Sequence, residues 1–285
     1  MTDDTTPGSL FVVSTPIGNM GDFSFRAVEV LKSVDAILAE DTRHTRHLLD
    51  HYGIVTRSLA YHEHNEARMT PTIVARLLAG ESFALVTDAG TPLISDPGSR
   101  LVRAAIAAGV AVVPIPGASA LLAALVASGL ELDRFTFYGF LARAGAERGR
   151  TLDEITTAPH TAILYESPNR LAATLAELES RGNGDRIAVV AREMTKQFEE
   201  TRRGTVSALR AYYDTQPPRG EVVLVLGSAQ QVAPSEDRVR ERVRALRASG
   251  MSARDTASAV AAELGVPKRV AYRMAQENAV EDSGE

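Results

Sequence analysis

Three turns rich in glycine, proline and short polar residues punctuate this chain: STPIGNMGD at 14–22, TDAGTPLISDPG at 87–98 and PIPGASA at 114–120. Each follows an apolar, strand-like run. Glycine lets the main chain approach a ligand closely, and proline fixes the loop that presents backbone groups to it. Ligands of open α/β sheets bind outside the carboxyl ends of the strands, so three such turns at one edge would form one crevice. The chemistry expected there is the grip of a small polar cofactor, built more from main chain than from charged side chains. Asp88 is the carboxylate available as a polar anchor, whereas Asp96, followed by Pro97, reads as a helix cap.

A second constellation is histidine. Five of the six fall within twenty-one residues: His44, His47, His51, His62 and His64. The first three share a helix face, so a metal site is one alternative; a polar groove or a hydrated surface is the commoner one. Glu40, Asp41, Arg43 and Arg46 lie among them. A further charged run, AREMTKQFEETRRG at 191–204, follows a strand and is placed equally at a cleft or on a solvated face. The chain carries no P-loop, no G-x-G-x-x-G, no G-x-S-x-G and no H-E-x-x-H.

The elements that must position these residues alternate. Strands are expected at 10–14, 36–39, 58–61, 83–87 and 110–115, with helical patterns at 25–34, 42–52 and 72–78 between them. Such alternation predicts right-handed crossovers and a mostly parallel sheet. A second group of strands follows at 135–140, 161–165, 186–191 and 221–226, with helices at 148–157, 168–181 and 205–213. The fold class expected is α/β: an N-terminal α/β domain at 1–130, a C-terminal α/β domain at 131–229, and a small helical tail at 235–285 after a linker. The tail reads as three short helices in a helix-turn-helix-like layout, with nine Lys and Arg against six Asp and Glu over 235–278.

Composition bounds the rest. With 45% hydrophobic and 24% charged residues the chain is globular rather than disordered. A net charge of -5 gives no global pull toward nucleic acid, so such binding needs a local basic patch. Cysteine is absent, which removes disulfides and thiolate chemistry and fits a cytoplasmic protein. The first residues, MTDDTTPGS, lack the basic start of a signal peptide. The uncharged stretch 104–130 contains Gly109, Pro114, Pro116, Gly117 and Gly129, too many breakers for a membrane span.

The motifs VVSTPIGNMGD, AEDTRHTRHLL, YHEHNE, VTDAGTPLISDPG, PIPGASA, YESPNRL and AREMTKQFEE, in this order and spacing, resemble the ribosomal RNA branch of the tetrapyrrole methylase superfamily over about residues 9–228, and the tail resembles that branch's ending. The resemblance implies two α/β domains of the tetrapyrrole methylase type and S-adenosylmethionine as methyl donor, held in the cleft between them. It implies 2′-O-methylation of a cytidine in the decoding region of bacterial small-subunit (16S) ribosomal RNA, in the cytoplasm, by a homodimer acting on the 30S subunit. It places the donor pocket at Pro16 and Gly18; at Asp88, Ala89, Gly90, Thr91 and Pro92; at Pro116, Gly117, Ala118, Ser119 and Ala120; and, from the second domain, near Tyr165, Ala191 and Gly220.

Methyl transfer from a sulfonium needs the acceptor oxygen held in line and helped toward the alkoxide. Candidates for that help are Asp41, Arg43, Glu193 and Lys196, near strand ends facing the cleft; the chemistry requires no metal. The segment LARAGAERGR departs from the family pattern, with Arg143, Arg148 and Arg150 expected to supply positive charge, and Asn169 stands where histidine is frequent. With no Trp and 5% aromatic residues, a cleft lined for a flat macrocycle is disfavoured, and RNA is favoured by Arg43 and Arg46, by the 143–150 arginines and by Arg202 and Arg203. Two alternatives stand beside this: a small-molecule methylase of a corrinoid precursor, and a ligand-sensing regulator whose tail binds DNA.

Overall fold

The computed structural model describes residues 6–229 and 236–281, with side chains to 277. The expected tail start at 235, most of the linker, and the extreme termini lie outside the described residues. The chain forms two compact units, Met1–Ala229 and Gln230–Glu285.

In the first unit, β1 (Ser9–Val13), α1 (Phe25–Ser33), β2 (Ala36–Ala39), α2 (Thr42–His51), β3 (Ser58–Ala60), α3 (Glu66–Leu78), β4 (Phe83–Val86), α4 (Ser99–Ala107) and β5 (Ala111–Ile115) build a five-stranded sheet. Its order is β3-β2-β4-β1-β5 and every pair is parallel. β2 and β4 are buried along their whole length, because helices cover both faces. Ala27, Leu31, Leu48 and Leu49 of α1 and α2 pack on one face with Val13, Ile37 and Val86. Ile73, Leu77, Leu101 and Ala105 of α3 and α4 pack on the other with Leu10, Leu38 and Leu85. All carboxyl ends therefore point to one edge.

α5 (Ala120–Ser128) leads to the second sheet: β6 (Phe135–Phe140), α6 (Gly145–Thr157), β7 (Thr161–Glu166), α7 (Pro168–Leu178), β8 (Ile187–Arg192), β9 (Glu200–Thr205), α8 (Val206–Thr215) and β10 (Val222–Leu226). The order is β6-β7-β10-β8-β9. The parallel arrangement expected of the first five strands does not extend here: only β6 and β7 are parallel, while β10 runs antiparallel to both β7 and β8, and β9 antiparallel to β8. The charged run is corrected too. Its second half is strand β9, with Arg192 opposite Glu200 and Val190 opposite Arg202. Polar alternation hid an edge strand whose outward side chains are ion-paired rather than apolar.

α3 begins at Glu66, upstream of Pro71, rather than at residue 72. The Glu66 carbonyl accepts a bond from the Thr70 hydroxyl at 2.7 Å. In the second unit, α9 (Glu236–Ala248), α10 (Ala253–Leu264) and α11 (Lys268–Glu281) bury Val239, Val243, Val260 and Ala271 among themselves. Ser252 caps α10 through its side chain, and Gly265 ends it in the left-handed region. No helix among the described residues is long and apolar enough to cross a membrane.

Candidate functional site

The loops after β1, β4 and β5 meet because hydrogen bonds cross between them. Thr15 and Gly90 exchange backbone bonds at 2.8 and 3.1 Å. The Ser14 and Thr91 hydroxyls lie 2.9 Å apart, and Thr91 donates to the Ala118 carbonyl at 3.2 Å. From the second sheet, the antiparallel pairing places Val222 at the start of β10 beside Glu166 and Arg192 at the ends of β7 and β8. An amino end thus joins two carboxyl ends at this edge, which is why Gly220, ahead of its strand, reaches the site.

Between these ends lies a cavity of about 390 Å³. Eight of the expected residues line it: Asp88, Ala89, Gly90, Thr91, Ser119, Ala120, Tyr165 and Gly220. Seven do not. Pro16, Gly18, Pro92, Pro116, Gly117 and Ala118 belong to the loops that shape it, and Ala191 is a fully buried core residue beneath it. Gly117 has a packing reason, since a Cβ there would meet Ser14 Cβ at 3.0 Å.

The sequence missed Ile17, Glu40, Ile94, Phe140, Met194 and Glu221, all of which line the cavity. Asp96 was misassigned. α4 starts at Ser99 with Gly98 as its N-cap, and Asp96 lines the cavity instead. A second acid eight residues after Asp88, in the same glycine-rich loop, was the signal available.

Five carboxylates line this space, Glu40, Asp88, Asp96, Glu166 and Glu221, with no Lys, Arg or His. Burial pushes the Asp96 carboxyl up to about 6, helped by Glu40 and Asp88 and opposed by a bond from Thr87. Burial also raises Asp88, whose Oδ1 accepts from the Asp41 backbone at 3.1 Å. Glu166 is tied down by Thr174 at 2.6 Å, by the Ser167 backbone and by Arg170. Tyr165 stacks edge-on against Phe137, 4.9 Å between centroids, and burial raises its hydroxyl pKa.

The four residues expected to assist catalysis fall in two groups. Asp41 caps α2 through the Arg43 backbone at 2.8 Å and pairs with the Arg43 guanidinium, and those bonds hold its pKa down. Arg43 is 92% exposed. Lys196 lies between Glu193 at 2.9 Å and Glu221 at 3.0 Å. Burial opposes its charge, yet the two carboxylates outweigh it and raise its pKa, while its hydrogen bond lowers that of Glu193.

Two glycines are required by this geometry. At Gly18 (φ +151) a Cβ would fall 2.3 Å from Lys196 Cγ, so the β1 loop and the loop after β8 touch. At Gly220 (φ +82) it would fall 2.0 Å from Glu193 Oε1. Non-glycine residues hold positive φ on the loops after β4 and β8: Leu93 and Ser95 on the first, Glu193 and Thr195 on the second. Such strain persists where surrounding contacts over-determine it, and it concentrates at functional sites.

The histidines of α2 are exposed, and no group of three or more His, Asp or Glu among the described residues gathers to hold a metal. The arginines expected to face RNA divide. Arg148 is corrected to a structural role, 7% exposed and bonded to Glu177, Thr174 and the Ala142 carbonyl. Arg203 is bound to carbonyls of α5, Arg46 pairs with Asp50, and Arg143 and Arg150 are exposed, as is Asn169.

The model of the tetrapyrrole (corrin/porphyrin) methylases matches residues 9–210. The chain belongs to the tetrapyrrole methylase family. Within it, the chain is 45% identical over 273 residues to a Synechocystis protein named ribosomal RNA small subunit methyltransferase I, covering 95% of this chain and 98% of that one. It is 48% identical over 271 residues to a Xylella fastidiosa protein of the same name, covering 94% and 99%. Solved structures of diphthine synthase (TM-score 0.60, 15% identity, 78% of this chain and 90% of that one) and of uroporphyrin-III-C-methyltransferase from Thermus thermophilus (0.54, 18%, 78% and 95%) share the tetrapyrrole methylase fold.

S-adenosylmethionine, the methyl donor of methylases of this type, fits the cavity in kind. A sulfonium and an ammonium are cations, matching a lining of five carboxylates, of which Glu166 and Glu221 already pair with Arg170 and Lys196. Ile17, Ile94, Phe140, Tyr165, Met194 and Val223 offer apolar wall to a nucleoside.

Proposed function

We propose that this protein transfers a methyl group from S-adenosylmethionine to the ribose 2′-hydroxyl of a cytidine in the decoding region of small-subunit ribosomal RNA, acting on the 30S subunit in the cytoplasm. One observation carries the donor half: an acid-lined cavity, with Lys196 bound to Glu221 at its edge, where the β1, β4 and β5 loops meet the edge of the second sheet. The acceptor half is supported by relatives bearing that ribosomal RNA name over nearly their whole length.

The donor, when bound, supplies an activated methyl on sulfur. Asp88 and the main chain of Ala89, Gly90 and Thr91 hold its polar groups, with Ser119 and Ala120 opposite and Tyr165 and Gly220 from the second sheet. Pro16, Gly18, Pro92, Pro116, Gly117 and Ala118 shape those loops from behind, and Ala191 of β8 packs beneath them. Asp96 takes the hydroxyl proton, because a carboxyl titrating near 6 is a usable base at neutral pH. Lys196, pinned by Glu193 and Glu221, stabilises the developing alkoxide. Asp41, spent on its cap, and the exposed Arg43 form the rim, where Arg43 meets a phosphate.

We further propose a homodimer, supported by Leu122 and Val126, one turn apart on α5 and 53% and 74% exposed. Sedimentation mass at micromolar chain reads this directly.

Methyl transfer is tested with isotopically labelled donor and 30S subunits lacking the modification. Label should appear in RNA and, after nuclease digestion, in 2′-O-methylcytidine. Tight donor binding with no label in RNA would overturn the acceptor assignment.

A further inference from the structure

A second cavity, of about 180 Å³, opens at the same edge of the second sheet but on its other face. It lies between the end of β8, the start of β9 and the loop from α8 into β10. Arg192, Glu200, Tyr212, Tyr213, Pro217 and Arg219 line it. Tyr213 belongs to the α6–α8 core, whereas Tyr165 and Met194 of the first cavity pack on the α5 side, so the two spaces stand back to back.

Three features point to a ligand. The charge is positive: Glu200 serves both Arg192, at 2.6 Å, and Arg202, at 2.7 Å, and no carboxylate among the described residues pairs with the exposed Arg219. Aromatic surface is present: the Arg202 guanidinium sits 3.6 Å above the Tyr212 ring, with Tyr213 packed edge-on beside it. Lastly, Tyr213 is 2% exposed, yet its buried hydroxyl has no hydrogen-bond partner. Burial pushes that hydroxyl up to about 12, so it stays a donor. A buried donor left alone is costly and uncommon.

Chain continuity joins this cavity to the first. Two residues after Arg192 comes Met194, and Arg219 is followed by Gly220 and Glu221; all three line the donor cavity. A polyanion crossing that corner would be repelled by five carboxylates on one side and attracted by arginines on the other.

We propose that the second cavity binds a nucleotide of the substrate RNA strand flanking the methylated one, its phosphate on Arg219 and Arg192 and its base against the Tyr212 and Pro217 surfaces, within reach of the Tyr213 hydroxyl. This rests on the RNA methyltransferase reading. Arginine with aromatic side chains is how unpaired RNA is held: guanidinium for phosphate, ring for base. Access to the Tyr213 hydroxyl requires the rim side chains to part.

The test is steady-state methylation of 30S subunits by the full chain across a salt series, with Arg219→Ala and Tyr213→Phe. Arg219→Ala should raise KM for 30S about tenfold and lower the slope of log KM against log salt by about one, with kcat and donor affinity held within twofold. Tyr213→Phe should raise that KM about threefold without lowering Tm, since it removes an unsatisfied donor. If both variants keep the wild-type KM and salt slope while the wild-type chain methylates RNA, the subsite is overturned and the methyltransferase reading stands. If the wild-type chain transfers no methyl to RNA, both fall together.

Discussion

The two cavities at the edge of the second sheet are separated by a few residues of chain and carry opposite charge. One is lined by five carboxylates and no cation; the other sets Arg192 and Arg219 against Glu200. The carboxylates also differ in state. Asp88 and Asp96 are raised by burial, whereas Glu200 is lowered by Arg192 and Arg202. An enzyme that joins a cationic donor to a polyanionic acceptor has to keep each out of the other's place, and like-charge repulsion does so over the short range that salt leaves unscreened. The turn into antiparallel β10 makes this possible, because Gly220, in positive φ, leaves Arg219 in the wall of one cavity and Glu221 in that of the other.

The largest effect is expected at the corner between the two cavities, where Arg219 lines one and Gly220 the other. Gly220→Ala forces a Cβ into Glu193 Oε1 and a side chain into positive φ. The cost is roughly 1–3 kcal/mol of stability. It also displaces Glu193 from Lys196 and from the Glu221 backbone. Donor affinity should fall more than thirtyfold by titration calorimetry, and methylation should fall with it. Donor affinity within threefold of wild type would mean that the corner does not organise the first cavity.

An effect smaller on function, though not on stability, separates arginines that bind from arginines that build. Arg148 and Arg219 look alike in sequence, each in a polar stretch near glycine. Arg148 is buried against Glu177 and Thr174, and removing it leaves those groups unpaired. Arg148→Met should therefore lose about 2–4 kcal/mol in urea unfolding while KM for 30S stays within twofold. A raised KM without lost stability would return Arg148 to the RNA-facing set.

That pair shows what sequence can carry. Helix caps, strand runs and the three glycine-rich turns are local, so the first sheet was legible almost strand for strand: β2 and β4 are continuous apolar runs bounded by turn residues. The tail's Ser252 and Gly265 were legible for the same reason. β9 was not, since ETRRGT carries no apolar alternation and its stability comes from pairing with β8 and from cross-strand ions. Asp96 failed differently. Asp-Pro-Gly satisfies a capping pattern locally, but Gly98 in positive φ takes the cap position and leaves the carboxylate to the cavity. Burial of arginine is likewise a tertiary fact, set by α7 supplying Glu177 and Thr174.

The smallest expected effect on stability is at Asp96, and its sign is opposite to that of most substitutions. Its folded pKa, about 6, exceeds the ordinary 3.8. The folded chain therefore binds the proton more tightly than the unfolded one, and that contribution is complete below about pH 4 and lost as pH rises through 6. Above 6 the ionised carboxylate has only the Thr87 hydrogen bond to set against burial, Glu40 and Asp88, so Asp96→Asn should stabilise the protein there. The full linkage would be about 3 kcal/mol; because the group is open to the cleft, screening reduces the expectation to about 1–2 kcal/mol at pH 7.5. Urea unfolding at pH 4 and 7.5 should show the gain only at the higher pH, and an equal difference at both would remove Asp96 from the titrating set. Activity should move the other way. If Asp96 accepts the hydroxyl proton, wild-type kcat falls on an acid limb near pH 6. Asp96→Asn should lose that limb together with at least tenfold in rate. A more stable variant that keeps the wild-type limb would leave the carboxylate as a donor contact alone.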